Sequence, residues 1–319
     1  MSCYPVICFL FKRPVQARAM FATLVENDSI GQTDLIIAID ACKKDATERE
    51  LQARAEVQAI AHSIEGFKSI EFIEATENKG LAHSVTTVVS AVLQKYPACI
   101  VIEEDTLVHQ SFLTFMNSAL DYALKSNKIF GVGAWPYFLK YHKARTNFYF
   151  PYPDSIAWGV TSNGWNHYES DILKIKNLIR PAKIWRSFEV LNNLNHFSNM
   201  LKLQEEGKID SWAIKWTASA VINEAKFIYP SSAIAIHNGN ENIDSTHETG
   251  KNIYKDTLLS NEPVEFRAEQ LHQSYEALNS FRKFVIKDIL SEGNNFSFLK
   301  NTIKEKMPKW VYSNFFHGK

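Results

Sequence analysis

Cys99-Ile100-Val101-Ile102-Glu103-Glu104-Asp105 is the stretch that decides the fold. An unbroken apolar run followed at once by three carboxylates reads as a buried strand ending at a polar edge. Working outward, three more apolar runs precede it: Val6–Phe11, Leu35–Ile39, which ends in Asp40, and Ser69–Ile73. Helical patterns separate them. One passes through Met20, Leu24 and Val25. A long charged one follows Thr47, with Glu50 placed as its capping-box partner. A third, Gly80–Leu93, carries Leu81, Val85, Val88, Val89 and Val92 on one side. Strands that are apolar throughout and separated by helices predict an α/β fold with a mostly parallel, Rossmann-like sheet covered on both faces. Such sheets bind ligands beyond the carboxyl ends of their strands. The residues to watch are therefore Arg13, Asp40, Asn78, Lys79 and Gly80, and the triplet Glu103, Glu104 and Asp105.

Composition bounds the rest. The chain has 319 residues, 35 Lys+Arg against 35 Asp+Glu, and 45% hydrophobic residues, the profile of a soluble globular protein. A globally basic nucleic-acid footprint is excluded, so no nucleic-acid partner is expected. No stretch reaches the ~18 apolar residues of a membrane span. The first apolar run lacks a preceding basic region and reads as a strand, not a secretory signal, which predicts a cytoplasmic protein. Cys3, Cys8, Cys42 and Cys99 show no C-x-x-C spacing and are expected to be free thiols.

The middle of the chain changes character. Residues 135–165 are rich in aromatics, Pro and Gly and are expected to form loops and short strands. Asp210–Asn223 reads as helical, Phe227–Ile236 as strand, and Asn238–Thr249 as a polar loop. From Phe281 onward, Phe281, Val285, Ile289, Leu299, Ile303 and Met307 fall at helical spacing, among eight Lys/Arg and three Asp/Glu. This basic end has two readings: a face on an anionic membrane surface through 281–319, or helices packed on the body. The expected division is a catalytic domain over 1–260 and a helical extension over 261–319.

Each candidate residue also has two readings. Glu103–Asp105 repel one another and suit a divalent cation completed by phosphate oxygens; the alternative is a solvated acidic turn. Asp210 is either a helix cap or a general base. His237 and His247 bracket the polar loop, as structural residues or as contacts to metal or phosphate. Arg13 is a partner for a diphosphate or a surface charge; Asp40 is an acceptor for a base or ribose, or a turn residue. Gly80 opens a helix whose N-terminus favours anions.

In this order, the motifs resemble the GT-A class of nucleotide-sugar glycosyltransferases, closest to bacterial members of the surface-polysaccharide or lipopolysaccharide type. The carriers are Arg13-Pro14; Asn78-Lys79-Gly80-Leu81; Ile102-Glu103-Glu104-Asp105 followed by Ser111-Phe112-Leu113; Ala157-Trp158-Gly159 with Gly164-Trp165; Ile209-Asp210-Ser211-Trp212; and Asn238, then Asp244-Ser245-Thr246-His247. The resemblance covers roughly Pro5–Thr249. Glu104 stands where that family usually has Asp. The resemblance implies a hexosyl- or N-acetylhexosaminyltransferase using a nucleotide-sugar donor, most often UDP-linked, with Mn²⁺ or Mg²⁺, and a glycan or lipid-linked acceptor. It implies that Asp105 binds the metal, with His247 or its rival His237 on metal or diphosphate. Glu103 and Glu104 would face ribose and donor sugar, and Arg13 and Asp40 would hold the nucleotide. Asn78, Lys79 and Gly80 fall with them on the nucleotide and donor side. A Trp158-Gly159 loop would shape the sugar pocket, and Asp210 would be the base of an inverting displacement. Two other readings stand beside it. A sugar nucleotidyltransferase needs a Gly-rich basic loop, of which Lys12-Arg13-Pro14 is a poor version. A catalytically decayed carbohydrate-binding protein is kept open by Glu104.

Overall fold

The computed structural model describes residues 2–141, 144, 146–189, 196–238 and 257–286. Its strands are β1 (Val6–Leu10), β2 (Asp34–Ile39), β3 (Ser69–Glu74), β4 (Ala98–Glu103), β5 (Thr106–Val108), β6 (Ile129–Gly133), β7 (Phe148–Phe150), β8 (Ala157–Thr161), β9 (Lys226–Tyr229), β10 (Ala235–His237) and β11 (His272–Gln273). The α-helices are α1 (Pro14–Leu24), α2 (Glu48–His62), α3 (Leu81–Leu93), α4 (Phe112–Ala123), α5 (Ser162–Trp165), α6 (Ile172–Ile179), α7 (Ala182–Phe188), α8 (His196–Glu205), α9 (Trp212–Ile222) and α10 (Tyr275–Phe284).

Among the described residues nine strands form one sheet in the order β11-β7-β9-β6-β8-β4-β1-β2-β3. The four runs read from the sequence are its parallel half: β1 pairs with β2 and β4, and β2 with β3. β8 enters antiparallel between β4 and β6, and β9 runs parallel to β6. Helices cover both faces, as expected of an α/β fold whose strands are apolar on both sides. Alternate residues of β1 show the two layers. Ile7 and Phe9 join the core under α3 and α9, whereas Val6, Cys8 and Leu10 join the core under α1, α2 and α4. On α3, Val85, Val88, Val89 and Val92 are all buried, each contributing about 1.5–3 kcal/mol of apolar burial. β3 differs from a fully buried strand: it is the sheet edge, half-exposed, and carries Glu71 and Glu74. Charge on an edge strand discourages pairing with other chains. The capping box at α2 forms as read, with Thr47 accepting from Glu50 N and Glu50 reaching back to Thr47 N.

One expectation is corrected here, and one open reading is narrowed. Trp158 and Gly159 lie in no loop; they are the middle of β8, paired with Val101 and Ile100. A Cβ at Gly159 would sit 3.0 Å from Leu120 of α4, so close packing sets this glycine. The basic end had two readings, a membrane-facing surface or helices packed on the body; at its start Phe281 and Val285 are buried, as the second reading has it. Phe281 packs edge-on to Phe138 and Phe150, and Phe284 to Tyr137, so this part of the tail is spent on the core. Residues 287–319 lie outside the described ones. Among the described residues no helix is long and apolar enough to cross a membrane.

Candidate functional site

The carboxyl-end edge of the parallel strands gathers most of the residues singled out from the sequence. β4 ends at Glu103, the chain turns, and β5 pairs antiparallel with β10 so that His237 lies opposite Thr106. That register sets the His237 imidazole on Asp105, with Nε2 3.0 Å from Oδ2. Asn238 N also donates to the Asp105 carbonyl at 2.6 Å. From the other side comes Arg13, which follows β1 and occupies the N-cap position of α1, with Pro14 at the first helical position. Its Nη1 donates to Asp105 Oδ2 at 2.5 Å, and its Nε lies 3.7 Å from Glu104 Oε1. Phe11 N fixes the other Glu104 oxygen at 2.7 Å. His237 stacks on Trp135, centroids 6.1 Å apart.

Negative charge dominates this edge. Burial pushes the Glu103 carboxyl well up, and the charges of Asp105, Glu104 and Asp154 push it further. Burial raises Glu104 to about 7 against the backbone hydrogen bond from Phe11 and the Arg13 charge. Burial also acts to raise Asp105, but the His237 hydrogen bond, the His237 charge and Arg13 outweigh it and hold the carboxyl below its ordinary value. Asp105 Oδ1 is buried and makes no hydrogen bond among the described residues. Arg13 and His237 thus serve one oxygen and leave the other facing an unmet requirement, which is costly for a buried carboxylate. A divalent cation fits that oxygen and the charge excess. Among the described residues no three His, Cys, Asp or Glu side chains form a complete cage. An ion of the Mg²⁺ type needs none, since one or two carboxylates plus substrate phosphates suffice.

Beside this cluster, Asn78 Nδ2 donates to Asp40 Oδ2 at 3.2 Å and to Ala41 O at 2.7 Å, joining the ends of β2 and β3. Arg54 Nε donates to the Asp40 carbonyl at 2.7 Å. Lys79 is exposed. Gly80 precedes α3 with φ +81, a conformation that favours glycine, and open space surrounds its Cβ position.

The sequence reading missed Asp154. This buried carboxylate accepts from Ala134 N and Trp135 N with Oδ2, and from Ser155 N and Ile156 N with Oδ1. The Ile156 carbonyl in turn accepts from Glu103 N at 3.2 Å. One carboxylate therefore ties the turn before His237's stacking partner to the end of β4. Its signal was Pro-Tyr-Pro-Asp-Ser, an Asx-turn pattern.

Asp210 comes from another element but the same edge. β9 is parallel to β6, β6 and β4 both oppose β8, and α9 runs back from the carboxyl-end edge to feed β9. The residues before α9 thus lie at the edge where β4 ends. The cap of α9 is Ser211, whose Oγ accepts from Ile214 N at 3.3 Å, so Asp210 does not cap it. The Asp210 side chain is 63% exposed, with Lys215 Nζ 3.8 Å away and only 16% exposed. Burial pushes the nearby Tyr168 phenol up, and the charge of Asp210 adds to the shift. Trp158, 2% exposed, lies beneath this region, stacked on Trp212 at 5.0 Å and on Trp165 at 5.8 Å. It is core below the site, not pocket wall. His247 lies outside the described residues; His237 is placed on Asp105.

No protein-family model matches the chain, and no curated protein matches it in sequence. Solved structures similar to it include a mannosyltransferase of Pyrobaculum calidifontis in complex with GDP-mannose and Mn²⁺, at 13% identity and TM-score 0.40, covering 70% of each chain. Mouse xyloside xylosyltransferase 1 is another, at 10% identity and TM-score 0.35, covering 68% of this chain and 81% of that one. The galactosyltransferase LgtC has 12% identity and TM-score 0.34, covering 70% and 72%. Likeness at this level carries no functional argument.

Proposed function

We propose that this chain is a glycosyltransferase moving a sugar from a nucleoside-diphosphate donor to a hydroxyl of a glycan or lipid-linked acceptor. The observation that carries the reading is Asp105: buried, held on one oxygen by Arg13 and His237, and unpartnered on the other, at the ligand-binding edge of a mostly parallel sheet. Asp105 is the residue for a Mn²⁺ or Mg²⁺ ion, with His237 beside it. When bound, that ion supplies neutralisation of diphosphate charge as a Lewis acid.

The chain's own residues account for the remainder. Asp40 and Asn78 line the nucleotide side, and a UDP donor is preferred on the resemblance alone. Arg13 is a charge-assisted donor for phosphate oxygens. Asp210, exposed at the same edge, takes the proton of the acceptor hydroxyl. The acceptor oxygen then bonds to the anomeric carbon as the bond from that carbon to the phosphate oxygen breaks. The electron pair leaves with the nucleoside diphosphate. Attack opposite the leaving group inverts the anomeric centre. A thermal-shift screen of UDP- and GDP-sugars tests the reading: a rise in Tm that requires both nucleotide sugar and Mn²⁺ is expected. A flat response to every nucleotide sugar in Mn²⁺ overturns it.

A further inference from the structure

The outward face of α3 is chemically unusual. No residue of Leu81–Leu93 is Lys, Arg, Asp or Glu, whereas α2, ERELQARAEVQAIAH, carries five. Solvent-facing helix surfaces are normally charged. On α3, His83, Thr87, Ser90 and Gln94 follow one another on a single stripe, all exposed, opposite the buried valines. Hydroxyl, amide and imidazole groups suit a surface covered by a hydrogen-bonding ligand.

That stripe is one wall of a cleft of about 690 Å³. The facing wall is Tyr168, Ser170 and Lys215, and Asp210 lies on it too. Tyr168 lies flat on Trp165, 4.8 Å between centroids, and Trp165 Nε1 donates to Ser90 Oγ at 2.9 Å, so the two walls are tied together. Among the described residues no aliphatic side chain larger than alanine lines the cleft, which disfavours an acyl chain. The lining on α3 extends from Ala82 to Gln94, about 18 Å along a helix. A single sugar ring placed at Asp210 leaves most of that length empty.

We propose that the cleft between α3 and α9 binds an acceptor glycan of two or more sugar residues. The reacting residue sits at Asp210 and the remainder lies along the His83–Gln94 stripe. The inference rests on the glycosyltransferase reading for its end at Asp210, and on the cleft itself for the remainder.

The test uses the full chain on a printed glycan array holding both monosaccharides and oligosaccharides. Wild type is compared with Ala91→Trp, an exposed lining position in the last turn of α3, and with Gln94→Trp just past it, each first shown to melt at the wild-type temperature. Signal is expected on oligosaccharide spots, with at least a ten-fold loss in a folded variant. Absence of glycan signal, equal signal on monosaccharide spots, or signal unaffected by both tryptophans overturns the inference. Nucleotide-sugar melting shifts in Mn²⁺ are scored in parallel. Glycan binding without any such shift retains the cleft and removes the transferase reading.

Discussion

The two sides of the edge are built in opposite ways. On the β1–β4 side, charge is buried and tied: Arg13, Glu104, Asp105 and His237 hold one another, and Asp154 anchors the turns behind them. On the α9 side, Asp210 is mostly exposed and borders an open, neutral cleft. A nucleoside diphosphate presents the same charge pattern whatever sugar it carries, so fixed charges can be organised for it before binding. An acceptor varies in shape and arrives from solvent, and an accessible base suits it.

The contrast predicts different failures. Asp105→Ala is expected to have the largest effect: it should abolish turnover and the response to Mn²⁺ together. Activity that persists in EDTA would show that the buried side does not hold a cation. Asp210→Asn comes next. It should lower kcat by about 10²–10⁴-fold, the usual scale of general acid–base catalysis, while the donor-induced melting shift stays as in wild type. An equal loss of donor binding would erase the distinction between the two sides.

Asp154→Asn should act on stability first. An amide serves only one of the two pairs of backbone N–H donors, which costs about 1–3 kcal/mol. It also carries a pH signature. Burial raises the Asp154 carboxyl from 3.8 to about 6, so the folded state binds its proton more tightly than the unfolded chain does. This group's contribution is therefore fullest below its ordinary value and is lost as the pH rises through about 6. Denaturant unfolding between about pH 4 and pH 7 should show a steeper slope in wild type than in the variant, in which the raised Glu103 and Glu104 carboxyls still titrate. A matching slope in both would place the titration elsewhere.

The sequence made the buried parallel half legible because β1, β2 and β4 are apolar on both faces and end in polar residues. It also showed the α2 capping box and the acidic edge. It misread Trp158 and Gly159, because tryptophan and glycine among prolines look like loop until two neighbouring strands are known to flank them. Asp154 was hidden for a related reason: its four partners are backbone groups, which have no residue type to read. For Asp210 the sequence left cap and base open; Ser211, one residue on, takes the cap, which removes that reading and leaves the base as a proposal. Phe281 and Val285 had the right helical spacing, but spacing alone does not say whether core or lipid covers the face.

The small β5–β10 ladder has a consequence for assembly. Leu107 pairs with Ile236, a closure across about 130 residues, and the same ladder delivers His237 to Asp105. Contacts of such sequence separation form late, after local helices and hairpins. The acidic turn therefore acquires its histidine only when the C-terminal strands dock. A chain stalled before that step contains the carboxylates without their partner, so the ladder makes completion of the fold a condition for completion of the site.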